Sequence, residues 1–517
     1  MPASPNSLMR MPGATAGGHY ATVPTPQDPY QYQVGFNNRF ATEALPGTLP
    51  IGRNTPQRCK YDLFSEQLNG TAFISSRASL QNAWFYRIRP SVAHRPLSKV
   101  EENGDLQGNF SSANPKVEYT PFGNVWNAFA LPQETEKIDF VQGLKTVCGH
   151  GDATAKEGLA IHMYTANTSM TNKAFCNNDG DMLIVPQQGR LDIQTEFGRM
   201  MVRPGEIVVI QAGIRFRVSL PDGPIRGYIQ EIFGSHYELP ELGPIGSNGM
   251  ALPRDFEIPV ASFDIDQSEW TIVYKLAGQF YACTQDHTPF DVVAWHGNYA
   301  PYKYALERFI NSATVDREQS DPSIYCVLLA KSEVPGVNLT EFLVFTEKWA
   351  VTRDTFRPPY YHRNVNTEIM GMVYGEWYGT SHPLEPGGLS YEPALMPHGE
   401  SIEKWKEATT VQLTEQRVSE NSIAFMFHIH PHVAITEYAL KRCPNIYDAP
   451  VDMWDNIQGG FFDHLEQIDA ELKAAGLPVL GLSAPSRIEE VEEKQEGSSD
   501  ISTNGTDFVV VNGNKQL

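Results

Sequence analysis

A chain of 517 residues with 61 acidic against 40 basic side chains carries a formal net charge of −21, and that balance excludes the basic footprint nucleic acid or an anionic membrane surface requires. Its 41% hydrophobic and 20% charged content describes a globular protein rather than a disordered one, and the length predicts two or more domains. Part of the negative charge is local, in the Glu- and Asp-rich stretch from Ile488 to Asp500.

The opening MPASPNSLMRMPGATAGGHY has no apolar core of the kind a secretion signal carries. No run approaches the roughly 18 apolar residues of a membrane helix. Six cysteines, at 59, 148, 176, 283, 326 and 443, have no CxxC or repeated spacing. They read as reduced, mostly buried thiols, and triplets such as Asn167-Thr168-Ser169 read as chance glycosylation matches. A cytoplasmic protein with no membrane or nucleic-acid partner is expected.

In chain order, residues 1–30, rich in Pro, Gly, Ser and Thr, predict a disordered tail. Beyond it, short runs rich in Val, Ile, Tyr and Phe are punctuated by Gly and Pro, which predicts an all-β architecture with few helices. The 37 prolines also argue against long helices. A large N-terminal β domain is placed at 31–285. Within it, Gly180 to Pro186, a turn at 187–189, and GRMMVRPGEIVVIQAGIRFRV from Gly198 follow the rhythm of a cupin, the small jelly-roll barrel. Phe216 stands about where that pattern would carry a metal-binding His, so this half is expected to be metal-free. A C-terminal cupin-like domain is placed at 286–480. Its clearest helix is DHLEQIDAELKAA, from about Asp463 to Ala475, with Gly476 as the stop. An acidic tail, also expected to be disordered, takes 481–517.

The most informative stretch is Tyr360 to Gly375, YYHRNVNTEIMGMVYG. It sets His362 six residues before Glu368, and His398 follows in Met-Pro-His-Gly. The order His362-x-Asn364, Glu368, Gly375 matches the first cupin motif, with Asn364 in place of the second His. Alone, each of these residues reads as an ordinary surface or core side chain. Together, two imidazoles and a carboxylate are the set that holds Fe(II) on one face and leaves the other open. Strand alternation lets His362 and Glu368 point into one lumen, with His398 returning on a later strand.

At this point the chain resembles the homogentisate 1,2-dioxygenases, from about Tyr32 to Lys473. The resemblance rests on YQVGFNNRFATEALPGTLPIG, EQLNGTAF, WFYRIRPSVAH, NTSMTNKAFCNNDGDMLIVPQ, ELGPIGSNGMA, DVVAWHGNYAPYKY, TFRPPYYHRN and MPHG. It implies a large N-terminal β domain joined to a cupin-like barrel, and trimers that pair into hexamers. It implies Fe(II) held by His362, Glu368 and His398, with His296 handling the proton. By itself, a lone His between Trp295 and Gly297 reads as structural. The implied reaction opens the ring of homogentisate with both atoms of O2 to give maleylacetoacetate.

The pocket departs from the family's pattern. Trp377 replaces a Tyr, and Tyr374 replaces an Arg, which removes a positive charge. Glu392 replaces a His, and His428 replaces a Glu. With Asn364 and His398, the residues Trp377, Tyr374 and Glu392 are expected to contact substrate, and His428 and Tyr360 to stand behind the ligands. Two accounts of the last pair stay open, a reversed Glu392–His428 pair or independent drift. His428, His430 and His432 alternate along a strand and form a weak candidate for a second metal site. His382 reads as a solvent-facing loop residue. The departures keep open a paralogous dioxygenase that opens a larger, less acidic hydroquinone. Behind it stand a non-catalytic cupin and a metal-dependent isomerase or decarboxylase.

Overall fold

The computed structural model describes residues 25–51, 56–101, 104–241, 251–310, 325–350, 360–377, 382–412, 414, 416–450 and 452–482. Most of the expected N-terminal tail, and the C-terminal tail from 483, lie outside the described residues. The architecture is β throughout, in sheets of ten, seven, seven, four and two strands, as the sequence predicts. Of the chain's two compact units, the first ends at Met453 and holds all five sheets.

The N-terminal half is a sandwich. Apart from the hairpin Leu191–Thr195/Gly198–Val202, successive strands from Lys173 to Ile232 alternate between the ten-stranded sheet (Asp181–Gln188, Glu206–Ile210, Ile225–Ile232) and a seven-stranded one (Lys173–Asn177, Leu191–Thr195, Gly198–Val202, Arg215–Ser219). That alternation between facing sheets is the jelly-roll pattern. The turns fall at Gly189, Gly205 and Gly213, whose φ values of 71°, 90° and 82° suit glycine. Phe216 is fully buried between Phe175 and Phe140, with ring centroids 5.5 and 5.9 Å away.

The Met182–Val185 and Ile207–Ile210 runs are buried on both faces. Their strands lie between the seven-stranded sheet and a third layer, the sheet that carries the site. Tyr228 pins that third layer: its hydroxyl donates toward the Met372 and Gly388 carbonyls at 2.8 and 2.9 Å, and its ring lies 4.8 Å from Phe425.

The expected boundary near residue 285 is not a break in the sheets. Val292–Gly297 and Tyr302–Ala305 complete sheets of the N-terminal half, while Asn124–Trp126 is the edge strand of the site sheet. Val292–Gly297 and Tyr302–Ala305 each stand between two partner strands inside those sheets, so the N-terminal sheets run past residue 285.

A second unit begins at Trp454. Within it a 3-10 turn over Gly460–His464 leads into the helix Leu465–Ala474, and Gly476 follows at φ 70°. The helix and its stop stand where the sequence puts them. A helix at Ile402–Thr410, capped by the Ser401 hydroxyl accepting from the Lys404 amide, is not foreseen, because its apolar positions are few. Among the described residues no helix is long and apolar enough to cross a membrane.

A buried ion network ties the two sandwich sheets. Lys275 Nζ donates to Asp179 at 2.7 Å and to both oxygens of Glu231 at 2.9 and 2.8 Å, with all three side chains at most 1% exposed. His162 Nε2 meets Glu231 at 2.9 Å. Burial raises the Glu231 carboxyl, but Lys275 and His162 outweigh it and hold the group at about 2. Removing the ammonium in Lys275→Met leaves two uncompensated carboxylates, with an expected loss of about 3–5 kcal/mol in chemical denaturation. Because the Glu231 pKa is depressed, its contribution is complete above the ordinary carboxylate range and is lost as pH falls toward about 2. Unfolding midpoints followed from pH 6 downward check this, and loss of that acid dependence in Glu231→Gln is the expected signature.

Candidate metal centre

Glu368 opens the strand Thr367–Tyr374, whose neighbours in the sheet are Leu389–Glu392 on one side and Ile423–Ile429 on the other. Its pleat sends Glu368 and Met370 to one face, while Ile369 joins the core behind. His362 and His398 lie outside the regular strands and are locked to each other. The His362 amide donates to the His398 carbonyl at 3.0 Å, and the reverse bond is 3.1 Å. This reciprocal bridge sets the two imidazoles 4.2 Å apart, edge to face.

The ligand atoms of His362, Glu368 and His398 all lie within 4.8 Å of one another and could hold a metal ion. His362 Nε2 is 3.4 Å from Glu368 Oε1, and His398 Nε2 is 3.5 Å from Oε2. Both contacts are longer than an ordinary hydrogen bond. His398 Nδ1 donates to the Met396 carbonyl at 3.0 Å, while its buried Nε2 has no hydrogen-bond partner. An imidazole fixed at one nitrogen with the other left bare is prepared as a ligand. The donor set fits a divalent ion.

Burial raises the Glu368 carboxyl, but contacts from His362, His398 and Asn364 outweigh it and keep the group well below the usual range. Burial lowers His398, and Glu368 outweighs it, so His398 is pushed up to about 9. Asn364 Nδ2 donates to Glu368 Oε1 at 2.9 Å and meets His428 Nε2 at 2.6 Å. Asn364 lines the cavity beside the ligands and also orients the ligand carboxylate. Glu341, which the sequence reading overlooked, holds His428 Nδ1 at 2.7 Å. Burial raises Glu341, but His428 and Asn338 bring it below its ordinary value.

The ligands open on a cavity of about 880 Å3, which Tyr360, Trp377, Glu392 and His428 also line. Tyr360 is exposed, with its ring 5.3 Å from His362.

Several expectations are corrected. Tyr374 does not line this cavity, because a register shift between Met372 and Tyr374 turns it away, and its hydroxyl is 3.5 Å from Glu307. Glu392 and His428 do not pair. Each faces Glu368 from the opposite neighbouring strand, so their backbones stand about 9–10 Å apart, and Glu392 meets His382 at 3.0 Å. His382 is therefore not solvent-facing, since its side chain is 6% exposed. His296 lies in the four-stranded sheet, with Nε2 3.1 Å from the Tyr86 hydroxyl, and is not among the residues lining the cavity. The His428–His432 run gathers no second ligand group among the described residues. His430 Nδ1 meets the Asn366 side chain at 3.1 Å, and the His432 carbonyl accepts from His150.

Glu341, Asn366 and Ser390 escaped the sequence reading because nothing in their local strings marks them. The alternation of LTEFLVF around Glu341 was the available signal. Asn364→Ala frees the Glu368 carboxylate, and metal affinity is expected to fall about 10–100-fold in a Co(II) titration. Glu368→Ala is expected to abolish binding in the same assay.

The family model "Homogentisate 1,2-dioxygenase N-terminal" matches residues 31–306, and its C-terminal counterpart matches 307–461. A Caenorhabditis elegans protein named homogentisate 1,2-dioxygenase is 47% identical over 80% of this chain and 94% of its own length. The Dictyostelium discoideum and Homo sapiens proteins of that name are 46% and 43% identical, each over 83% of this chain and 97% of their own. A cupin barrel protein of Leptotrichia buccalis aligns with TM-score 0.25 and 9% identity over 58% of this chain and 92% of that one, a likeness too small to argue from. On the family models and the sequence relatives, the chain belongs to the homogentisate 1,2-dioxygenase family.

Proposed function

We propose that the chain is an Fe(II)-dependent ring-cleaving dioxygenase that converts homogentisate and O2 to maleylacetoacetate. The observation that carries the reading is the His362–Glu368–His398 set at the wall of a cavity large enough for an aromatic ring. Bound there, Fe(II) supplies the acidity that favours a phenolate and a common site for ring and O2.

The chain's own residues do the rest. Glu368 gives one negative charge, and Asn364 holds that carboxylate in place. His398 presents Nε2 because its Nδ1–H donates to the Met396 carbonyl. The cavity walls hold the ring beside the ligands, so encounter gives way to orientation. The role of His296 as proton-handling group comes from the family resemblance, as does assembly into trimers and hexamers.

The test is anaerobic reconstitution with Fe(II), followed by oxygen uptake with homogentisate. Uptake matched by a new absorbing product is expected, and Glu368→Ala should lose both iron and uptake. Iron binding without uptake by any hydroquinone would return the site to a non-catalytic cupin. His296→Gln should keep iron and lower kcat on the order of 10²–10⁴-fold. An unchanged kcat removes His296 from the chemistry.

A further inference from the structure

The cavity beside the ligands changes character along its strands. Glu341, His428, Glu368 and Glu392 stand in one cross-strand row. Two residues along, about 7 Å away, the wall is Leu343, Met426 and Met370. Beyond it Phe345 packs against Trp377 and Tyr325, with ring centroids 5.0 and 4.8 Å away, and all three rings line the cavity. An aromatic lobe therefore continues the cavity on the side away from the charged row.

What that lobe offers a ligand is an amine and an N–H. Lys348, three residues after Phe345, sets its Nζ at the Tyr325 hydroxyl and 3.9 Å from the centroid of that ring. Burial alone brings the amine down to about 7, and among the described residues no carboxylate holds it up. Glu347, beside it in sequence, is paired with Arg417, which Glu420 also meets at 3.7 Å. Across the two-stranded ribbon Lys348 faces Val418 and Arg417 faces Trp349, so strand alternation turns Arg417 to the other side. Trp377 Nε1 is buried in the same lobe and has no hydrogen-bond partner. A buried amine without a counter-ion and a buried N–H without an acceptor are both unfavourable, and an anionic ligand answers both. Two further cations line the wall: Arg363, exposed and adjoining His362, and Lys331, within 3.6 Å of Glu238 and Glu241.

We infer that Lys348, held by Tyr325, receives the carboxylate of the substrate and so sets which way round the ring lies at the metal. This rests on the ring-cleaving reading above. With a phenolic oxygen at the charged row, the ring lies over Met370 and Met426 and its carboxymethyl arm enters the lobe. There the carboxylate meets an amine whose proton it stabilises, and a charge pair in an apolar wall is strong. The opposite orientation turns the carboxylate back toward Glu341 and Glu392, where like charges oppose it. Metal at one end and amine at the other thus orient a ring that apolar contact alone would leave free to turn. The amine of the free protein titrates near neutral pH, and a carboxylate beside it raises that value. Above pH 7, binding therefore takes up a proton at Lys348.

The deciding comparison is homogentisate against its methyl ester, which share one skeleton and differ in charge, on the full-length, metal-loaded protein. Binding is read anaerobically by calorimetry at pH 8 in buffers of different ionisation enthalpy, and turnover of the iron form by oxygen uptake. Homogentisate is expected to take up about one proton more than the ester and to bind about tenfold tighter. Lys348→Met should abolish both differences by weakening homogentisate about tenfold, with ester binding and metal content unchanged, and should raise KM far more than it lowers kcat. Lys348→Arg should keep the preference for homogentisate without the proton uptake, because a guanidinium stays charged. Equal weakening of acid and ester in Lys348→Met, or no change in either, overturns the inference, as does the same loss appearing in Arg363→Gln instead. Homogentisate that binds with the extra proton but consumes no oxygen leaves Lys348 in its role and overturns the dioxygenase reading.

Discussion

The reciprocal backbone bonds between His362 and His398 are the constraint on which the site depends. Neither residue has a regular strand to hold it, yet each must aim an imidazole at a carboxylate fixed elsewhere. Two short amide bonds convert two loops into one rigid clasp. The strand carrying Glu368 supplies the third point, and its neighbours on either side carry Glu392 and His428. Three side chains from three segments meet because backbone pairing, rather than side-chain attraction, brings them together.

That strand has to satisfy two surfaces. Ile369 and Val373 belong to the core shared with the N-terminal sandwich, while Met370 and Met372 belong to a separate cluster on the cavity side. Such a two-faced strand cannot slip by one residue without exchanging its faces. Tyr228, bonded to the Met372 and Gly388 carbonyls, further fixes the register from behind. The sandwich is the anvil against which the metal-binding layer is held.

The architecture was largely legible in the sequence because alternation and glycine turns are local signals. His362 and Glu368 were legible because six residues separate them, whereas His398 comes from a later segment and was marked only by its Met-Pro-His-Gly string. What was hidden depends on contacts distant in sequence. Glu341 lies 87 positions from His428, and no string near either one announces the other. Tyr374 was misplaced because a register shift reverses its side, and an irregular strand cannot be counted by twos. His382 looked like a loop residue because the partner that buries it, Glu392, lies on a separate strand. The boundary at 285 could not be seen locally, because the strands at 292–305 take their places between partners distant in sequence.

The two halves of this chain solve one problem with different cations. Where the site gathers imidazoles and a carboxylate around a place for an ion from solution, the N-terminal sandwich sets Lys275 among Glu231, Asp179 and His162. The positive charge joining its sheets is covalently part of the polypeptide and arrives with synthesis. The layer behind the site therefore has no need of metal to reach its shape. Loss of metal from the site would leave that ion network, and the joint it makes between the two sandwich sheets, in place.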